Sequence, residues 1–492
     1  MAAHRYWRVL VTACNGSGYP DVDTFELLAG GVNVATTPSQ AYASSSFVYP
    51  GLSFDPGNAV AGQAGDWSSG TTAPAWWGYD FGAGAAQDIA SVRITNRSNS
   101  PNWTTDSPAA VQLQWSEDNA AWTTLVAGTL NWTGPSQVLT ITAPTPTPTG
   151  ATIDAGNAAF VYSPYNWQVT AAVATTWNPG AYVRTLFTGD SCALLFDMSA
   201  AVAPISQIWC RIDNGPWTLA DVAASVALTV PAKTTANAAV PLHRLEIVVK
   251  AIDIGAGANR WSASAAGAVR FRGVMLWAGG TVQAPGRAPL NVLIYGDSIT
   301  EGARTLGEAS STTVADMDAM FGWAFEQGRL LGAEIGVVGF SGSGYVTSAF
   351  GVPAFPGSFG FLAAGIARSF SPSPDLVVVN HGQNDQSANI QVAATGTLNG
   401  LLGAVACRVV LLNPLPPGDN AYLQAAVAGC SAPGRAAWVS TAGFFVRSAG
   451  SDASQIHPSG PNSAGLIGPR VAGVLRPFLP GAAGAVVARW TH

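Results

Sequence analysis

The chain has 492 residues, 48% hydrophobic and only 10% charged, with a formal net charge of −6. At roughly 100–200 residues per domain, that length calls for two to four domains. Composition excludes two partners. No apolar run reaches the ~18 residues of a spanning helix; the longest, Leu401 to Leu412, contains Arg408, so membrane insertion is not expected. The lysines are Lys233 and Lys250 alone, with no basic cluster, so nucleic acid is not expected either.

The N-terminus, His4 to Cys14, reads as a strand that begins at once. Its apolar run is too short for a secretory signal. Residues 1–145 are expected to be all-β: in Val111-Gln-Leu113-Gln-Trp115 and Ser91-Val-Arg-Ile94-Thr, apolar and polar residues alternate, as in strands with one buried face. The repeated Pro-Thr of Ala143 to Gly150 cannot pair in a sheet and reads as a linker.

Residues 146–285 are expected to form a second β domain, with alternation around Leu245, Ile247 and Val249 and around Val269 and Phe271. Cys192 and Cys210 flank a hairpin turn expected at Ser199 to Pro204. Two readings stay open there, a cross-strand disulfide or two buried thiols. No CxxC spacing occurs among the five cysteines, so no zinc site is expected. A Gly/Pro-rich stretch, Ala278 to Pro289, closes the region.

From residue 286 the texture changes. Short apolar runs (Val292–Tyr295, Ile335–Val338, Leu376–Val379, Val409–Leu412, Trp438–Ser440) alternate with segments long enough for helices (Val314–Leu331, Gln391–Val405, Asn420–Val427). Runs apolar throughout suit a parallel sheet covered on both faces, so 286–492 is expected to be an α/β domain with its chemistry at the strands' C-terminal ends.

Four blocks lie there. The first strand ends in Gly-Asp-Ser298-Ile-Thr-Glu-Gly302. The second is followed by Gly339-Phe-Ser-Gly342-Ser-Gly344, and the third by His381-Gly-Gln-Asn384-Asp385. A late loop carries Gln455-Ile-His457-Pro. A serine hydroxyl needs a base. Of five histidines, His4 and His243 lie in the β domains and His492 is the last residue, which leaves His381 and His457. His381 reads as a packed strand-end residue.

In this order the blocks resemble the SGNH (GDSL) hydrolases. The resemblance implies a flavodoxin-like parallel-sheet hydrolase domain behind two all-β sandwich or jelly-roll domains, acting without metal or cofactor. It makes Ser298 the nucleophile and, through its N–H, the first oxyanion donor. Gly342, with Gly344 close behind, becomes the second donor, Asn384 the third and His457 the base. Asp297 and Asp385 become hydrogen-bond partners rather than catalysts. One position departs from the family pattern. The aspartate usual three residues before the histidine is Ser454 here, and Asp452 stands five before. Either Asp452 reaches the imidazole, or a backbone carbonyl orients it and the site works as a dyad.

The first domain resembles the discoidin, or coagulation-factor type C, galactose-binding sandwiches through His4-Arg-Tyr-Trp-Arg-Val-Leu, Phe25-Glu-Leu-Leu28, Trp77 to Gly82 with Ile89 and Val92, and Pro108 to Trp122. That fold often binds glycans. Fourteen of 17 tryptophans precede residue 285, for sugar stacking or for sandwich cores. The second domain resembles the jelly roll that precedes the hydrolase domain in acetylxylan-type carbohydrate esterases. The reading that follows is a carbohydrate O-acetylesterase acting on an acetylated polysaccharide or other glycan, outside the cell or on a phage-like particle. Its rivals are a lipid or aryl esterase on the same scaffold and a glycan-binding adhesin with a decayed hydrolase domain. Oligomeric state stays open.

Overall fold

A computed structural model describes residues 3–16, 18–98, 103–143, 150–231, 242–254, 260–264, 266–307, 314–385, 388–415, 421–445 and 456–481. The Pro-Thr segment 144–149 therefore lies outside the described residues. The chain divides into two compact units, Met1–Pro146 with Thr229–Thr234, and Thr147–Leu228 with Thr235–His492.

The first unit is an antiparallel β sandwich. One sheet runs Thr123–Thr129, Pro108–Ser116, Tyr6–Cys14, Ala75–Asp80, Ala41–Ala43; the other runs Val138–Thr142, Ser91–Asn96, Asp21–Ala29, Val32–Asn33. Side chains alternate between faces of a strand, so Trp7, Val9 and Val11 point inward together and meet Phe25, Trp67, Trp77, Ile94 and Leu113. Each large apolar side chain so buried contributes roughly 1.5–3 kcal/mol. No tryptophan of this unit is exposed; Trp76, Trp103, Trp115 and Trp122 are half-buried.

The second unit opens with another antiparallel sandwich. Its outer sheet includes Val269–Leu276 and Ser191–Phe196; its inner sheet includes Tyr182–Thr188, Leu242–Ala251 and Gln207–Ile212. Here the hairpin expectation is corrected. Cys192 and Cys210 lie on strands of different sheets, because the chain turning at Ser199 to Pro204 crosses the sandwich instead of folding back beside itself. Both are buried free thiols, and burial pushes Cys210 up to about 11.

The α/β part carries a parallel sheet of β1 (Leu290–Gly296), β2 (Ala333–Gly339), β3 (Leu376–Asn380), β4 (Arg408–Leu412) and β5 (Ala436–Val439), in the order β2-β1-β3-β4-β5. That is the flavodoxin-like order, whose switch point flanks β1. Helices α1 (Trp323–Leu331), α2 (Gln391–Ala404), α3 (Ala421–Ala428) and α4 (Gly468–Leu475) accompany it. The helix expected from Val314 starts only at Trp323. Asp318 is the reason: its carboxylate accepts from Met320 N–H at 2.9 Å and from Trp209 Nε1 at 2.7 Å, which fixes a tight turn at Ala319–Phe321 ahead of α1.

The sandwich and the α/β part share their interior. Tyr182 and Val248 belong to one core with Val292, Val337 and Val378, while Tyr165, Trp177 and Trp261 join Leu293 and Val379 in another. A buried ion pair crosses the same boundary. Arg184 Nη2 donates to both oxygens of Glu334 at 2.6 and 2.7 Å, the Tyr182 hydroxyl donates to Glu334 Oε2, and Ala288 N–H donates to Oε1 at 2.7 Å. The Gly/Pro-rich stretch is thus tied down at Ala288.

Candidate active site

Register brings the blocks together. In the parallel sheet Gly296 at the end of β1 pairs with Gly339 of β2 and with Asn380 of β3. The three loops that follow leave from one edge, side by side, at the switch point. After β1 the chain turns tightly: Thr300 and Glu301 N–H donate to the Asp297 carbonyl at 3.1 Å, and Ala303 N–H to the Ser298 carbonyl at 2.9 Å. Ser298 sits at the head of this turn.

His457 arrives from the far end of the chain. Its loop is anchored by Gly460 N–H donating to the Thr305 carbonyl at 2.8 Å, ahead of a π-helical turn at Ser463–Ile467. The Ser463 hydroxyl accepts from Trp323 N–H at 2.9 Å. His457 Nε2 lies 2.8 Å from Ser298 Oγ. With the neutral ring, Ser298 donates Oγ–H to Nε2 and the ring proton sits on Nδ1. Asp452 lies outside the described residues.

Gly342 has φ +74°, and a Cβ there would lie 2.6 Å from the Ala349 Cβ, so a side chain would meet both strain and a clash. Gly344 gives its N–H to the Thr347 carbonyl at 2.9 Å. Among the described residues, neither the Ser298 nor the Gly342 N–H is given to a protein acceptor. A Cβ at Gly344 would come 2.4 Å from Asp385 Oδ1. That carboxylate accepts from Tyr345 N–H at 2.7 Å and from Val346 and Thr347 N–H at 3.0 Å, so the third block holds the loop of the second.

Asn384 Nδ2 donates to the Ser343 carbonyl at 2.9 Å and to Asp297 Oδ2 at 3.1 Å. Both amide hydrogens are engaged, so a third donor to an oxyanion would be shared with, or exchanged from, one of these acceptors. Asp297 Oδ1 also accepts from Ile299 N–H at 3.0 Å. Burial pushes the Asp297 carboxyl up to about 7. His381 is buried between Phe355, at 4.3 Å between ring centres, and Tyr345, at 6.1 Å. Its Nδ1 lies 3.3 Å from the Ser343 carbonyl, and burial brings its pKa down to about 4, so it stays neutral near pH 7. The Ser343 carbonyl was not foreseen from sequence; any residue type supplies a carbonyl, so no signal marks it. A separate cleft of about 350 Å³, lined by Tyr182, Arg184, Trp217 and Phe325 among others, contains none of these residues.

Residues 58–150 match the family of NedA-like, galactose-binding domains. No curated protein matches the chain in sequence. Solved structures do match it. A family two carbohydrate esterase from Cellvibrio japonicus superposes with TM-score 0.53 and 19% identity, covering 66% of this chain and 98% of that one. The fold is shared with family two carbohydrate esterases. A family two esterase from Corynascus thermopiles gives TM-score 0.51 and 21% identity over 65% of this chain and 99% of that one. An acetyl xylan esterase from the rumen bacterium Butyrivibrio proteoclasticus gives 0.52 and 15% over 65% and 95%. At these identities the likeness speaks for fold, while chemistry rests on the site itself.

Proposed function

We propose that the chain is a serine esterase that removes O-acetyl or other short acyl groups from a carbohydrate, a cell-surface polysaccharide being the substrate class. The observation that carries this reading is the 2.8 Å contact between Ser298 Oγ and His457 Nε2 at the switch point of the sheet. Support for a sugar comes from the galactose-binding match in the first unit. It comes also from the shared fold, which a family two carbohydrate esterase from Clostridium thermocellum presents in complex with cellohexaose.

The steps follow from the geometry. Ser298 Oγ attacks the acyl carbon as its proton passes to His457 Nε2. Charge gathers on the carbonyl oxygen, which the Ser298 and Gly342 N–H groups stabilise, with Asn384 Nδ2 as third donor; each donor is typically worth ~10²–10³ in rate. Collapse expels the sugar oxygen, which takes the proton from His457. Water then attacks the acyl-serine, giving its proton to His457, and the released Ser298 oxygen recovers one. Asp452 is the group proposed to hold His457 by Nδ1.

Turnover of small acetyl esters and acetylated glycans tests the reading. Ser298→Ala should lower kcat by ~10⁶, and His457→Ala by as much, because nucleophile and base act as one unit. A mutant keeping a tenth of wild-type activity contradicts the assignment. Asp452→Asn should cost up to ~10⁴; a silent substitution would show the ring to be oriented otherwise. A wild-type protein that binds glycans but turns over no ester would support the adhesin instead.

A further inference from the structure

Directly behind the proposed oxyanion site lies a buried charge with no part in that chemistry. Glu301 follows Ser298 by three residues and is 0% exposed. Its Oε1 accepts from the Ser341 hydroxyl, and its Oε2 from Arg260 Nη1 at 2.7 Å. Arg260 Nη2 donates to the Gly339 carbonyl at 2.7 Å. Arg260 does not come from the α/β part. It follows the inner-sheet strand Leu242–Ala251 of the second sandwich and precedes Val269–Leu276.

The contacts are short and dry. The Arg260 side chain is 4% exposed. Its guanidinium lies 4.9 Å from the Phe340 ring centre, and Trp261 meets the same ring edge-on at 5.4 Å. Gly339, Phe340 and Ser341 lead directly into Gly342. A Cβ at Gly339 would come 2.5 Å from the Glu301 Cβ, so the loop after β1 rests on the end of β2 with nothing between. One side chain from the sandwich thus touches both loops that carry the backbone N–H donors.

We infer that Arg260 is a positioning residue: through Glu301 and Ser341 it fixes the Ser298 and Gly342 N–H groups relative to each other. The inference rests on the esterase reading. Preorganised donors need no rearrangement as charge develops, and small misplacements are expensive in rate. A planar guanidinium reaches Glu301 and the Gly339 carbonyl from two nitrogens held in a fixed fork, whereas an ammonium donates from one nitrogen with no fixed geometry between its acceptors. Without Arg260, Glu301 would keep a buried charge lacking its counter-ion.

Two gentle variants test this in the full chain. Ser341→Ala removes one donor to Glu301 and leaves the ion pair with Arg260 in place. Arg260→Lys keeps the charge and loses the fork. Each should lower kcat on a small acetyl ester about tenfold, a fraction of one oxyanion donor, with KM held within about twofold. Each should also speed amide hydrogen exchange over residues 339–344. Arg270→Gln, which removes the partner of Asp197 on the same sandwich, should keep wild-type kcat. Wild-type kcat in both Ser341→Ala and Arg260→Lys overturns the inference. So does a loss of kcat that tracks melting temperature while exchange over 339–344 stays unchanged, since a purely structural ion pair would act that way. If the wild type turns over no ester and yet exchange accelerates in both variants, the clamp stands and the esterase reading falls.

Discussion

The two β sandwiches share strand alternation and a high tryptophan content and differ in what they hold together. Among the described residues, the core cluster of the first runs from Trp7 to Ile141. The core of the second is continuous with the parallel sheet: Tyr182 and Val248 belong to one cluster with Val292 and Val378, and Trp261 to another with Val379. The second sandwich also supplies the cation for Glu334. Tryptophan content and strand alternation are common to both, so neither separates a sandwich with its own core from one whose core runs into the α/β part. Shared apolar clusters and buried ion pairs do.

The largest effect is expected from deletion. A chain beginning at residue 286 loses the Arg184 partner of Glu334 and part of both shared cores. It should show no cooperative thermal transition and no esterase activity; a folded, active product would mean that the second sandwich is a module after all. Next comes Glu334→Ala, which leaves Arg184 buried without its acceptor. Breaking a buried pair costs about 3–5 kcal/mol, read as a lower melting temperature for the second unit. Arg93→Met, at an ion pair of the first sandwich whose arginine side chain is 41% exposed, should leave melting unchanged.

A smaller effect comes from pH. Burial lowers the His381 pKa from 6.5 to about 4, so the unfolded chain takes up a proton that the folded state refuses. Stability is therefore full above about pH 6.5 and is lost as pH falls toward 4. Near pH 5 the loss is about 2 kcal/mol, and His381→Gln should abolish that part of the acid sensitivity of the second unit, measured as the urea midpoint at pH 7 and pH 5. An unchanged acid loss in the variant would show that other groups carry it. The smallest effect is expected from removing residues 1–145. kcat/KM on a p-nitrophenyl ester should stay within about twofold, while activity on an acetylated polysaccharide falls, because a tethered binding module raises the effective concentration only of substrates that span both. Equal losses on both substrates would make the first sandwich part of the catalytic body.

Much of this was legible in the residues. The apolar runs from Val292, Ile335, Leu376, Val409 and Trp438 mark the strands of the parallel sheet, because strands covered on both faces have no polar side to show. The motif order brought Ser298, Gly342 and Asn384 to neighbouring loops, and the register of Gly296 with Gly339 and Asn380 is the physical reason they meet. Three features were not legible. Cys192 and Cys210 flank a turn almost symmetrically, but that spacing does not say whether the turn stays within one sheet. The start of α1 depends on Asp318 accepting from Trp209, 109 positions earlier. Glu334 reads as an ordinary polar residue at a strand edge, since its cation lies 150 positions away. Each depends on a long-range contact, which local periodicity does not encode.

Covalent trapping tests whether Ser298 is a nucleophile activated by His457, without any choice of glycan. The full chain is treated with a fluorophosphonate, and the modified peptide is identified by mass spectrometry with the rate of labelling followed over time. One phosphonyl adduct is expected, on Ser298, absent in Ser298→Ala and formed at least ~10²-fold more slowly in His457→Ala, because general-base help contributes about that much or more. An adduct on another residue, or wild-type labelling of Ser298 in His457→Ala, would contradict it.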